Sequence, residues 1–327
     1  MDWDQPRSIY LSSPCGPEAN ADFAAIRQRI TKLADASPAF EAAARRREAK
    51  AQAAEQNQDF VTARESYFMA SIHWGAAQWP IDENNAQNRL YNGKKRDCYT
   101  RYATLADHQV EAAWIRLPDG LSLPAWFHLP PGYHGGRVPV VVSLPGMDSF
   151  KEMGVAMYGD RWLSRGMAVL ALDGPGQYES PLLDIYFSMP AWTATGTAAV
   201  DWLSARAEID VNRVGLAGNS FGSFFGTLAA AHEPRIRAPY LCLAGEFDEL
   251  SPIEHTERLM KALAGPKRLV VYQDSRHSVG NVPAANLGPF PPILAADWMA
   301  ATLAGKSSFP SEKWFVEASG RIVKTPL

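Results

Sequence analysis

Cysteine is scarce in this 327-residue chain. Cys15, Cys98 and Cys242 are odd in number and widely spaced, with no Cys-x-x-Cys pair. That argues against a disulfide scaffold or a thiolate zinc site and fits a reducing, cytoplasmic setting. None of the seven histidines stands at paired ligand spacing, so no metal is expected. Excess positive charge is missing too: 32 Lys and Arg against 35 Asp and Glu leave a formal charge of −3. Nucleic acid and anionic membrane surfaces are therefore poor partners. The densest basic run, Arg45-Arg46-Arg47, sits among Glu41, Glu48 and Glu55, as on a solvated helix face. The opening Met1-Asp2-Trp3-Asp4-Gln5-Pro6 has neither a basic n-region nor an apolar h-region, so no signal peptide is expected. Apolar runs such as Met167 to Leu172 are strand-sized and far short of a bilayer.

What is present divides near residue 108. Residues 1–107 read as a helical domain, rich in alanine from Phe40 to Gln56 and from Phe60 to Trp79. Ser37-Pro38 has the form of a helix start, and Phe68, Ile72, Ala76 and Trp79 share one face before Pro80. Residues 108–305 alternate strand and helix patterns, and 306–327 are left as a carboxy-terminal tail. Val110 to Leu117 and Leu121 to Leu129 flank the turn Pro118-Asp119-Gly120 and read as an antiparallel pair. Pro139 to Leu144 and Met167 to Leu172 are continuous apolar strands, as in a sheet covered on both faces, with a helical stretch to Arg165 between them. A helix near Pro190 to Arg206 precedes the strand Arg213 to Ala217. Then come strand Pro239 to Ala244, helix Pro252 to Leu263, strand Arg268 to Tyr272 and a last helix near Ile293 to Leu303. The fold class is α/β, with a mostly parallel, doubly covered sheet.

The chemistry is concentrated at Gly218-Asn219-Ser220-Phe221-Gly222, between an apolar strand and a small-residue helix. In that context Gly-x-Ser-x-Gly reads as a nucleophile elbow, its glycines allowing strand and helix to approach closely. A serine hydroxyl needs a base, and the base a carboxylate to orient it. In the α/β-hydrolase arrangement these follow in the order serine, acid, histidine, each after a strand. Asp248 and His277 meet that order, and with Ser220 they form the candidate catalytic triad. Glu246 and Glu249 compete with Asp248 by position. Glu254 is better read as part of a Ser251-Pro252-Ile253-Glu254 capping box, and His255 lies inside the helix that follows. The oxyanion hole is assigned to the backbone N–H groups of Phe221 and Met147, with Gly146 permitting close approach. Gly146, Tyr158 and His73 are the expected substrate contacts. Asp173-Gly174-Pro175-Gly176-Gln177-Tyr178-Glu179 looks at first like a dinucleotide loop, but Glu179 replaces the third glycine, so NAD is set aside and no cofactor is expected.

These motifs, with Ser71-Ile72-His73-Trp74 and Pro145-Gly146-Met147-Asp148-Ser149-Phe150-Lys151-Glu152, resemble the FrsA-like, 2,6-dihydroxypseudooxynicotine hydrolase-like branch of the α/β hydrolases. The resemblance runs from about residue 20 to residue 304. It implies an esterase, or a hydrolase of carbon–carbon bonds in acyl-aryl or 1,3-dicarbonyl compounds, acting through Ser220, Asp248 and His277 without a cofactor. The chain departs from the family between His232 and Pro239, where only Glu233 to Ala238 stand in place of a further βα unit and cap helices. A βα unit needs on the order of 30 residues, so the sheet should lack a strand between the serine and acid positions and the lid should be reduced. The expected partner is a small, aromatic-leaning substrate, suggested by Trp74, Trp79, Tyr158, Tyr178, Phe187 and Trp192, though such residues more often form core. A homodimer is the one assembly entertained. Two readings from other classes stand beside the enzyme: a non-catalytic binding protein on a hydrolase scaffold, and a helical adaptor using residues 20–104.

Overall fold

The computed structural model describes residues 17–155, 160–233, 239–306 and 309–327. The chain separates into two compact units, one of residues 8–234 and one of residues 235–327.

The first unit opens with helices α1 (Pro17–Arg27), α2 (Ala36–Gln56), α3 (Phe60–Gln78) and α4 (Ala86–Leu105). Asp59 caps α3 by accepting from the Thr62 N–H, and Asn85 caps α4 by accepting from the Asn88 N–H. The Ser37-Pro38 start is displaced: α2 begins at Ala36, and the Ser37 hydroxyl donates to the Ala77 carbonyl instead. Helix α3 is buried on nearly every side from Ser66 onward rather than along a single face, which makes it the centre of the helical region. Its Phe68, Ile72 and Trp74 pack with Tyr91, Tyr99 and Tyr102 of α4 and with Trp126, Phe150 and Met153. The helices and the following sheet thus share one core.

That sheet contains β1 (Val110–Arg116), β2 (Ser122–His128), β3 (Val138–Leu144), β4 (Ala168–Leu172) and β5 (Ile209–Gly218), in the order β1-β2-β4-β3-β5. β1 and β2 form the expected hairpin, in register from Val110 opposite His128 to Arg116 opposite Ser122. β2 runs antiparallel to β4, whereas β3 lies parallel to both β4 and β5. The apolar runs in β3 and β4 are buried because helices such as α5 (Met189–Ser204) and α6 (Phe221–His232) accompany the sheet. The helical stretch expected before Arg165 is present only as 3₁₀ turns at Lys151–Met153 and Leu163–Arg165 among the described residues. Lys151 and Glu152 are drawn inward there by buried ionic partners, which a regular surface helix would not allow.

In the second unit β6 (Tyr240–Gly245) and β7 (Lys267–Tyr272) are parallel, and α7 (Ile253–Ala262) joins them. Helices α8 (Pro283–Leu287) and α9 (Pro291–Leu303) follow. The stretch read as a tail supplies two further strands, β8 (Glu312–Val316) parallel to β7 and β9 (Ile322–Pro326) antiparallel to β8. Arg268 fastens them: its guanidinium lies 3.9 Å from the Trp314 ring centre and 4.9 Å from that of Trp298. The sheet of the first unit ends at β5, and β6 begins a separate sheet.

Candidate active site

Ser220 has φ 52° and ψ −119°, a strained conformation for a residue with a side chain, at the junction of β5 and α6. The flanking glycines have the steric job assigned to them. A Cβ on Gly218 would stand 2.2 Å from the Gly222 carbonyl oxygen, and one on Gly222 would stand 2.3 Å from that of Leu144. Helix α6 therefore starts pressed against the ends of β3 and β5. The Ser223 N–H donates to the Ser220 carbonyl at 2.9 Å and the Gly222 N–H to that of Asn219 at 2.9 Å. The Phe221 N–H, first in the helix, has no protein acceptor among the described residues.

The loop after β3 lies beside this turn. A Cβ on Gly146 would come within 3.0 Å of the Asn219 carbonyl oxygen and 3.3 Å of the Ser220 Cβ. Gly146 donates its N–H to the Ser149 hydroxyl at 3.0 Å. Met147 is exposed, and its N–H also has no protein acceptor among the described residues. The two N–H groups assigned to an oxyanion hole thus both lack a protein acceptor among the described residues. Gln177, buried after β4, was not singled out in the sequence. Its Nε2 donates to the carbonyls of Pro145 at 2.9 Å and Gly146 at 3.0 Å, while its Oε1 accepts from the Gly174 N–H at 2.9 Å.

Beneath both loops is a buried ionic cluster. Lys151 Nζ lies 2.6 Å from Glu179, 2.9 Å from Glu152 and 3.3 Å from Asp173. Lys95 and Arg96 reach Glu152 and Glu179 from α4, and Trp126 donates to Glu152. Burial pushes the Glu152 carboxyl up, but Lys151 and Lys95 outweigh it and hold the group at about 2. For Asp173 burial wins, and its carboxyl is raised. The Lys151 main-chain N–H also donates to Asp173 at 2.7 Å, so the cluster ties the loop after β3 to the one after β4.

Asp248 and His277 belong to the second unit, where the structure brings them into direct contact. His277 Nδ1 lies 2.9 Å from each Asp248 carboxylate oxygen. Asp248 is nearly buried and accepts from the Leu250 and Ser251 N–H groups as well, which fixes its plane. With Nδ1–H committed to the carboxylate, Nε2 is the nitrogen that carries the lone pair. A Cβ on Gly245 would lie 2.1 Å from the Arg276 carbonyl oxygen, so the end of β6 presses on the histidine loop. The rival acids are otherwise engaged or exposed. Glu246 accepts from the Asp274 N–H, and Glu249 lies on the surface near Arg276. The capping box does not form: Pro252 occupies the N-cap, and Asp248 takes the N–H groups there.

Two expected substrate contacts fare differently from Gly146. His73 has no accessible surface. Its Nε2 lies 3.1 Å from Asp22, and its ring meets Phe23 edge-on, so it holds helices together rather than offering an edge to a substrate. Tyr158 lies outside the described residues. Of the aromatic residues, Trp74 and Trp192 are core, whereas Phe187, Phe221 and Phe224 are exposed in the first unit. Among the described residues no group of His, Cys, Asp and Glu is placed to hold a metal, and no helix is long and apolar enough to cross a membrane.

Residues 99–245 match the X-Pro dipeptidyl-peptidase (S15) family. The α/β hydrolase xenA of Xenoacremonium sinensis is 32% identical over 186 residues, covering 54% of this chain and 44% of that protein. Hydrolase ORFZ of Pyricularia oryzae (strain 70-15) is 27% identical over 236 residues, covering 67% and 55%. The chain spans about half the length of the curated relatives it matches. Among solved structures, 2,6-dihydroxy-pseudo-oxynicotine hydrolase superposes with a TM-score of 0.76 at 21% identity, covering 92% of this chain and 96% of that one. With parallel strands leading to a serine turn, and with these likenesses over most of its length, the chain has the α/β-hydrolase fold and resembles hydrolases of that superfamily.

Proposed function

We propose that this chain is a serine hydrolase that cleaves an ester or acyl–carbon bond of a small substrate through an acyl-enzyme. Ser220 attacks the carbonyl, His277 takes its proton and returns it to the leaving group, and Asp248 orients His277. The N–H groups of Phe221 and Met147 stabilise the oxyanion. The observation that carries this reading is Ser220 itself, held at φ 52° at a helix start beside two N–H groups that have no protein acceptor among the described residues. The Asp248–His277 pair supports it from the second unit. Exposed Phe187, Phe221 and Phe224 favour an apolar or aromatic substrate over a charged one. The setting proposed is cytoplasmic, with neither nucleic acid nor membrane as partner.

Carbon–carbon cleavage of an acyl-aryl ketone or 1,3-dicarbonyl is the second reading, favoured by the resemblance to the 2,6-dihydroxypseudooxynicotine hydrolase-like branch. It uses the same acylation, but the leaving enolate or aryl carbanion must be protonated at carbon. The test is intact mass after a fluorophosphonate probe, with Ser220→Ala beside it, followed by turnover of p-nitrophenyl esters and acyl-aryl ketones. One adduct lost in the variant is the expected result. No adduct on folded protein would replace this reading with a non-catalytic binding protein.

A further inference from the structure

Gln177 spends its whole side-chain amide on main-chain groups of two loops. The Gly174 N–H can only donate and the Pro145 and Gly146 carbonyls can only accept, so the orientation of the amide is set by its partners. Both Nε2 hydrogens are thereby aimed at consecutive carbonyls of the loop after β3, and the side chain is nine-tenths buried. A trans peptide carries its C=O and N–H on opposite sides. Holding the Gly146 carbonyl toward Gln177 therefore turns the next group in the chain, the Met147 N–H, the other way. The Gly146 N–H is pinned as well, by the Ser149 hydroxyl, and its carbonyl takes a longer, 3.5 Å bond from the Ser149 N–H beside the 3.0 Å bond from Gln177. Without these ties glycine is the residue most free to let its peptides rotate. Gly146 is also the residue of that loop whose added Cβ would touch the Ser220 Cβ and the Asn219 carbonyl.

We propose that Gln177 is a positioning residue that orients the Met147 N–H for the developing oxyanion. It acts through the Gly146–Met147 peptide and touches no substrate. The inference deepens the serine hydrolase reading and rests on it for its catalytic consequence. Its structural half, the direction of one peptide, stands apart. Tyr178 and Glu179, next in the chain, face the ionic cluster, so the residues that set the loop's foundation and the one that aims its peptide are adjacent in sequence.

The test uses the full chain with Gln177→Met, which keeps the length and loses all three hydrogen bonds, and Gln177→Glu, which keeps the Gly174 bond but cannot donate. Crystal structures of both report the Gly146 carbonyl. Steady-state kinetics on a p-nitrophenyl ester report kcat and KM, and a trifluoromethyl ketone reports affinity for a tetrahedral adduct. The expected result is a rotated Gly146–Met147 peptide in both variants. A fall of about 10²–10³ in kcat should accompany it, the scale of one lost oxyanion donor, with KM nearly unchanged and a parallel loss of ketone affinity. If kcat in both folded variants stays within about twofold of wild type, or if the peptide does not turn, the proposal is overturned. A wild-type protein that takes no fluorophosphonate adduct and turns over neither esters nor acyl-aryl ketones, but with a peptide that turns only in the variants, would sink the hydrolase reading and leave the positioning role intact.

Discussion

Replacing Lys151 by methionine tests whether the buried cluster is held by charge balance. Counting formal charges, Lys95, Lys151 and Arg96 face Glu152, Asp173 and Glu179, three cations against three anions. The side chains of Lys95, Lys151 and all three acids are buried almost completely. Methionine nearly keeps the volume, so the packing cost is small and the effect is electrostatic. One anion is left unpaired, and removing a single partner of a buried pair costs about 3–5 kcal/mol. For a unit of this size that corresponds to a fall in Tm of about 6–20 °C. The pH dependence has a definite sign. An unpaired buried carboxyl has its folded pKa raised above the unfolded value, so the penalty is full at high pH and shrinks as the group protonates. The difference between wild type and variant should therefore be smaller at about pH 5 than at about pH 8. Adding Asp173→Asn returns two cations against two anions at the carboxyl that burial already pushes up, and should recover about half the loss or more. Urea titrations followed by tryptophan fluorescence measure all three. A loss under about 1 kcal/mol for Lys151→Met, or a double variant no better than the single, would refute the charge-balance account.

Gly222→Ala forces a Cβ to 2.3 Å from the Leu144 carbonyl oxygen and should cost about 3 kcal/mol or more. Gly93→Ala meets nothing within 4 Å in α4 and should gain up to about 1 kcal/mol, the two variants being compared in the same denaturation assay. Asp248→Asn keeps the bonds from Leu250 and Ser251 by turning its carbonyl to them, which presents an NH₂ to His277 Nδ1 and imposes the other tautomer. Stopped assays should show kcat down by about 10⁴ with the protein still folded. His128 is buried between Tyr99 and His108, and burial together with His108 holds it well below the usual histidine range. Only the unfolded chain then binds that proton near neutrality, so stability rises with pH. It should fall by about 1.4 kcal/mol for each unit below about pH 6.5, and His128→Gln should flatten that slope in denaturation curves taken across the range.

The long apolar strands and the serine turn were legible because their signals are local. β3 and β4 are built mostly of Val, Leu and Ala, and the elbow is a strand, two close-contact glycines and a helix within about twenty residues. β8 was not legible. Glu312-Lys313-Trp314-Phe315-Val316 is half polar, and what makes it a strand is Arg268, more than forty residues earlier, receiving Trp314 and Glu312. The same holds for Lys151 and Glu152, quoted in the sequence only as part of the loop after β3, whose burial depends on partners from α4 and the loop after β4. Gln177 lay inside a loop weighed as a nucleotide binder and matched as a family motif, with no role given to the residue itself. Its glycines invite that thought, whereas its carboxamide recognises backbone rather than phosphate.

The backbone angle at Ser220 carries an energetic cost of its own. A positive φ at a residue with a side chain costs on the order of 1–3 kcal/mol, and a glycine there would relieve it at once. The relief lies one substitution away, since glycine takes this backbone conformation without strain. Serine instead stands where the main chain would prefer no side chain at all. The strain is a standing cost, which the proposed nucleophile's chemistry would offset, and it can be measured directly. Ser220→Gly should melt higher than wild type, whereas Ser220→Ala, which keeps the Cβ, should not.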